Sequence, residues 1–206
     1  MCGSERFAIY HAIEEGKQDM ISLVGINIEL MAIKSFLLTV IDAANVEYSK
    51  IKNQTDTGKF LGFDDENNAY FIPMQWEEIA IKAALGELNA LVEWELGVLA
   101  NIPFSEKKPI TENENYKIVT DIGFKEIIKL IENYYKIKFN EFTDYKQIYL
   151  IRDKVNAFKH RKGFKDFRRD DCSNSVKHEI DRNEALLCID SVGNFFRELL
   201  KRIKKV

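Results

Sequence analysis

The stretch "IRDKVNAFKHRKGF", residues 151–164, holds the side chains best suited to chemistry. Arg152, Asn156, Lys159 and His160 lie close together in it. A histidine moves protons near neutral pH. Arginine and lysine stabilise the charge that builds on a transferring phosphoryl group. Asparagine orients a reacting hydroxyl or an imidazole. In RNA the 2′-hydroxyl is itself a nucleophile beside the scissile phosphate. Together these groups suffice for metal-independent RNA cleavage.

Their spacing adds a constraint. Residues on an α-helix step about 100° each, so with Arg152 at zero, Lys159 falls at about −20°, Asn156 at about +40°, Tyr149 at about +60° and His160 at about +80°. The apolar stripe of Ile148, Ile151, Val155 and Phe158 centres at about −80° on the same step. The polar arc therefore flanks the core face and does not oppose it, which is where a helix borders a cleft or a partner. The same residues also make an ordinary helix ending. Lys159, His160, Arg161 and Lys162 suit the negative end of the helix dipole, and Gly163 suits a C-terminal cap.

Five periodic segments position this arc. The first covers 19–52, with Met20, Val24, Ile28, Met31, Leu38, Ile41, Tyr48 and Ile51 at helical spacing. A helix of that length reaches about 50 Å, against a radius of gyration of about 17 Å for a compact chain of this size. The bundle is therefore expected to be elongated. Residues 53–72 read as an exposed loop or small hairpin, after which Pro73 opens a second helix over 74–101. Its apolar face is Ile81, Leu85, Leu88, Val92, Leu96 and Leu99. Gly86 and Gly97 within it mark expected close helix contacts. Residues 102–120 read as a second exposed loop between Pro103 and Pro109.

A third helix is expected over 123–138 and a fourth over 144–162. The last begins at a capping pattern, Asp181 with Glu184 three residues on. Leu186, Ile189, Val192, Phe196, Leu199 and Ile203 form its stripe. A short helix over 7–15 is also compatible with the pattern. The expectation is one all-α domain spanning 1–206, an elongated bundle of four to five principal helices with long connecting loops.

The 206 residues are 46% hydrophobic with a net charge of −3, which fits a globular protein. Charge is unevenly spread: residues 152–169 carry eight Lys/Arg against two Asp. Cys2, Cys172 and Cys188 form no CxxC pair, which points to a reducing compartment. The apolar region 20–46 is interrupted by Glu29, Lys34 and Asp42 and reads as too broken for a membrane span. These features together point to the cytoplasm, with no membrane partner.

Several chemistries are absent from the pattern. Di-iron bundles need Glu-x-x-His pairs, and the residues three before His11, His160 and His178 are Ala8, Ala157 and Ser175. Cys172 and His178 have no matching second pair for zinc. There is no Walker loop, no GxGxxG and no GxSxG. No metal site and no cofactor is expected. Glu93 and Glu95 read as flanking a buried Trp94, His11 as a packing residue and His178 as a solvated one.

An all-α bundle whose penultimate major helix ends in "IRDKVNAFKHRKGF" resembles the HEPN superfamily. The Arg152–Asp153 pair resembles that family's arginine followed by a polar residue, and His160 resembles its histidine. Seven residues lie between Arg152 and His160, where the family motif usually has four to six. The tighter unit is Asn156, Lys159 and His160. The resemblance implies a metal-independent endoribonuclease of toxin or antiviral-defence type. It also implies a homodimer whose two motifs line one RNA cleft, and sometimes an antitoxin or regulatory protein as partner.

In that setting His160 is the expected general acid or base. Arg152 and Lys159 hold phosphate and Asn156 orients. Arg161, Lys162, Lys165, Arg168 and Arg169 add electrostatic RNA grip. The competing expectation is a non-catalytic helical module that uses the same surface for binding or dimerisation.

Overall fold

The structure is a computed structural model that describes residues 18–59, 63–107, 122–160 and 180–203, with side chains described for 23–59, 68–100, 122–159 and 180–203. The described residues form five α-helices: α1 Gln18–Asp56, α2 Phe63–Lys107, α3 Phe124–Tyr135, α4 Tyr145–His160 and α5 Arg182–Ile203. A single 3-10 turn, Phe139–Glu141, links α3 to α4. No strand occurs among the described residues. The expected all-α bundle is the observed fold.

α1 and α2 pair as a long helical hairpin, and Tyr48 stacks on Tyr70 with ring centroids 6.1 Å apart. The helix bounds correct part of each loop assignment. Residues 53–56 continue α1, 63–72 begin α2, and 102–107 end it; residues 108–120 lie outside the described residues. Pro73 sits buried inside α2 and does not open it. A proline costs a helix one backbone hydrogen bond and a steric clash. Packing of the turn that holds Tyr70 against α1 offsets that cost, and no local sequence rule reports such packing.

The expected α1 stripe also divides. Ile41 and Ile51 are buried, with Ile26, Leu30, Leu37 and Ala44. Val24, Ile28, Met31 and Leu38 are exposed. α1 therefore carries two apolar series on opposite sides, and periodicity alone merges them. One helix among the described residues, Leu23–Asp56, is long and apolar enough to cross a membrane, with a mean hydropathy of 1.8 and 22% of its apolar window buried. Glu29, Lys34 and Asp42 lie within that helix, and length and composition are all that mark it as a span.

The other stripes fall as expected. Ile81, Leu85, Leu88, Val92 and Leu96 of α2, Ile127 and Ile131 of α3, Ile148, Ile151 and Val155 of α4, and Ile189, Val192, Phe196 and Leu199 of α5 are all buried. α3 ends three residues early because Lys136 takes the left-handed conformation, φ 54°, and its N–H donates to the Glu132 carbonyl. The Glu132 Oε1 then accepts the Phe139 N–H at 2.8 Å. Phe139, Phe142 and Phe195 meet with centroids 5.5–5.7 Å apart and anchor the start of α4 on α5. At the start of α5, the Glu184 N–H donates to Asp181 Oδ1 at 2.8 Å, which is the expected cap.

Gly86 makes no close contact: a Cβ there would meet nothing within 4 Å. The close approach is at Gly193 of α5, where a Cβ would lie 3.3 Å from Leu30 Cδ1 of α1.

Candidate functional site: the groove between α2 and α4

α4 is held on three sides. Its stripe packs on α2, and Arg152 also pairs with Glu93 of α2. The Arg152 guanidinium carbon sits 4.5 Å from the Phe124 ring centroid of α3, a cation–π geometry. Burial lowers the pKa of Arg152, yet a guanidinium in a protein stays charged. Tyr149 meets the same ring edge-on at 5.9 Å. On the opposite side Lys154, only 4% exposed, pairs with Glu184 of α5. The Gln147 side-chain amide donates to Cys188 Sγ at 3.2 Å. Burial pushes the Cys188 thiol pKa up.

The Lys82 ammonium stands 5.6 Å from the Phe158 ring centroid. Glu93 meets Arg152 while Lys82 meets Phe158, so α2 and α4 run in opposite directions. On α2, Lys82, Gly86, Asn89 and Glu93 share an arc of about 60°. This arc faces α4. Asn89 is buried on it, and the space at Gly86 is open. The groove between the two helices is thus lined by polar groups, open at Gly86 and covered at Asn89, with Arg152–Glu93 at one end and Lys82 and Phe158 at the other.

The residues singled out from the sequence divide as follows. Asn156 is half-buried and Lys159 exposed on α4. His160 is the last residue of α4, and its side chain is not among those described. Arg161, Lys162, Lys165, Arg168 and Arg169 lie outside the described residues, as do Gly163, His11, His178, Cys2 and Cys172. Arg152 is turned to Glu93 and Phe124, where its charge is offset. Trp94 is half-buried, not buried, and Glu93 is an ion-pair partner instead of a flank to that ring.

Sequence reasoning missed Glu93, Lys154 and Glu184. A signal existed for Lys154, which falls at about −160° on the helix step used above, beyond the apolar stripe. Nothing in the sequence named its partner on α5, 30 residues on. Among the described residues no three His, Cys, Asp or Glu side chains group to hold a metal ion. Comparison with protein-family models, curated proteins and solved structures gives no match for this chain.

Proposed function

We propose that this chain is a HEPN-like helical protein of the cytoplasm that cleaves RNA without a metal, with the α2–α4 groove as its working surface. The observation that carries the reading is the state of α4. It is clamped by Arg152–Glu93 on one flank and Lys154–Glu184 on the other, while Asn156 and Lys159 keep solvent access. Rigid support under accessible polar groups is what a preorganised site needs.

In this reading the 2′-oxygen attacks phosphorus as its proton leaves to a base. The bond to the 5′-oxygen breaks, and that oxygen takes a proton from an acid. The products are a 2′,3′-cyclic phosphate and a 5′-hydroxyl. His160 serves one of the two proton transfers, Asn156 orients the reacting groups, and Lys159 neutralises phosphate. Arg152 acts as a positioning residue through Glu93. Arg161, Lys162, Lys165, Arg168 and Arg169 supply grip on the RNA backbone. A toxin or defence role, with an antitoxin or regulatory protein as partner, follows from the resemblance.

A second reading, a non-catalytic binding or dimerisation module, is favoured by one fact: Glu93 already offsets the charge of Arg152. Incubation of purified protein with mixed RNA in excess EDTA separates the two. Cyclic-phosphate ends that disappear in His160→Ala support the nuclease. RNA bound but never cut, with wild type and His160→Ala alike, supports the module.

A further inference from the structure

We infer that the opening at Gly86 seats one nucleobase of the bound RNA, an adenine, read by the carboxamide of Asn89. The inference rests on the reading of the α2–α4 groove as an RNA surface, and adds which part of the RNA enters it.

Asn89 is the residue that calls for a ligand. It is 6% exposed, and among the described residues nothing hydrogen-bonds its side chain. A carboxamide carries two N–H donors and an acceptor oxygen, and native proteins rarely leave such a group buried and unpaired. Lys154, also buried, has Glu184 as its partner. Asn89 has none, and it lies one helical turn from an open space.

That space is at Gly86, where a Cβ would meet nothing within 4 Å. Residues three apart on a helix are neighbours, with Cβ positions about 5–6 Å apart. The Asn89 carboxamide therefore borders the opening. A glycine there also lets a flat ring approach the helix backbone.

The Arg152–Glu93 pair sets the register of the two antiparallel helices. Four residues back along α2 and four on along α4 stand Asn89 and Asn156. Three more in each direction bring Gly86 and Lys159 to one level. Glu93, Asn89 and Gly86 span about 60° of α2, and Arg152, Asn156 and Lys159 span about 60° of α4. The opening thus lies across from Asn156 and Lys159, the accessible polar groups of the proposed cleavage. A base seated at Asn89 sets its own phosphate beside them.

The chemistry of the amide selects the ligand. Its N–H and C=O lie side by side in one plane. A nucleobase edge offers an acceptor and a donor at matching positions, and adenine is the bidentate partner of asparagine through N7 and N6–H. A phosphate oxygen only accepts, so it leaves the Asn89 carbonyl unpaired. A water pairs the amide as well, but it confers no preference among bases.

Fluorescence anisotropy with 2′-O-methyl oligonucleotides tests this on the full-length chain. The methyl group blocks the attacking oxygen and keeps each probe intact. Wild type is expected to bind a uridine run with one central adenosine about tenfold more tightly than the plain uridine run. Asn89→Leu is expected to bind both alike, at the affinity of the plain run. Gly86→Leu, which fills the opening and keeps the amide, is expected to do the same. Both variants are expected to melt at or above the wild-type temperature. One replaces an unpaired amide with an apolar group of similar shape, and the other replaces a glycine with a helix former. Gly86→Leu decides the matter should Asn89→Leu fail to fold. An adenine preference that survives in Asn89→Leu overturns the inference and assigns the amide to an ordered water. Equal affinity of wild type for both probes overturns it too, as does a preference for a central cytidine or guanosine, and either leaves the RNA reading in place. No binding to any run overturns that reading as well.

Discussion

Arg152 of α4 is paired with Glu93 of α2, and the two residues sit half-exposed at the end of the α2–α4 groove. The arginine that stands out in the sequence is therefore partly committed before any ligand arrives. Glu93→Gln removes the offsetting charge and leaves the Phe124 contact in place. RNA binding is expected to tighten in this variant. The dependence of log affinity on log salt is expected to steepen by about 0.7, the contribution of one more phosphate contact on a single strand. Stability is expected to change by less than about 1 kcal/mol, as for most partly exposed pairs. Fluorescence anisotropy over a salt series checks it, and an unchanged slope means that Arg152 does not reach phosphate.

Lys154 carries a larger energetic stake. It is nearly fully buried, and Glu184, about a third exposed, is its carboxylate partner. Glu184→Gln leaves a buried ammonium beside a neutral amide. Breaking such a pair costs about 3 kcal/mol, toward the low end for buried pairs because Glu184 keeps some solvent. Replacing both residues with apolar side chains, Lys154→Met with Glu184→Leu, is expected to restore most of that loss. Urea denaturation reads both variants, and equal losses in the single and double variants would refute the assignment.

The two glycines predict opposite signs. Gly86→Ala adds a methyl into open space on α2 and gains helix propensity, so it is expected to stabilise by about 0.5–1 kcal/mol. Gly193→Val forces a branched side chain against Leu30 and Arg197, which a Cβ alone already approaches to 3.3 Å. It is expected to destabilise by about 1–3 kcal/mol. Thermal melts of the two variants should move in opposite directions.

Cys188 is buried and its thiol pKa is raised by that burial. In a Cys2→Ser, Cys172→Ser background, native protein at pH 8 is expected to react with a disulfide reagent far more slowly than unfolded protein. A raised folded pKa favours the neutral thiol. Its stabilisation is complete below the unfolded thiol value of about 8.5 and is lost as pH rises through the folded value. Fast labelling of the native state would show that the α4–α5 interface opens readily.

The amino-acid sequence by itself determined the helices. Their periodicity is local, so Ile148, Ile151 and Val155 mark the inner side of α4, and Asp181 marks the start of α5, whatever else the chain does. It also determined which side chains share the arc of Arg152, Asn156, Lys159 and His160, because helix geometry alone sets those angles. Tertiary structure decided what each helix meets. Whether Val24 or Ile26 lies inside depends on which side of α1 receives α2 and α5, and both sides are apolar. Whether Pro73 ends a helix depends on packing around Tyr70, contributed by Tyr48 from another element. Whether Arg152 is free depends on Glu93, 59 positions earlier, and a pairing across that separation leaves no trace in local pattern. Charge, burial and access at the groove are properties of facing helices, and they exist only once α2 and α4 come together.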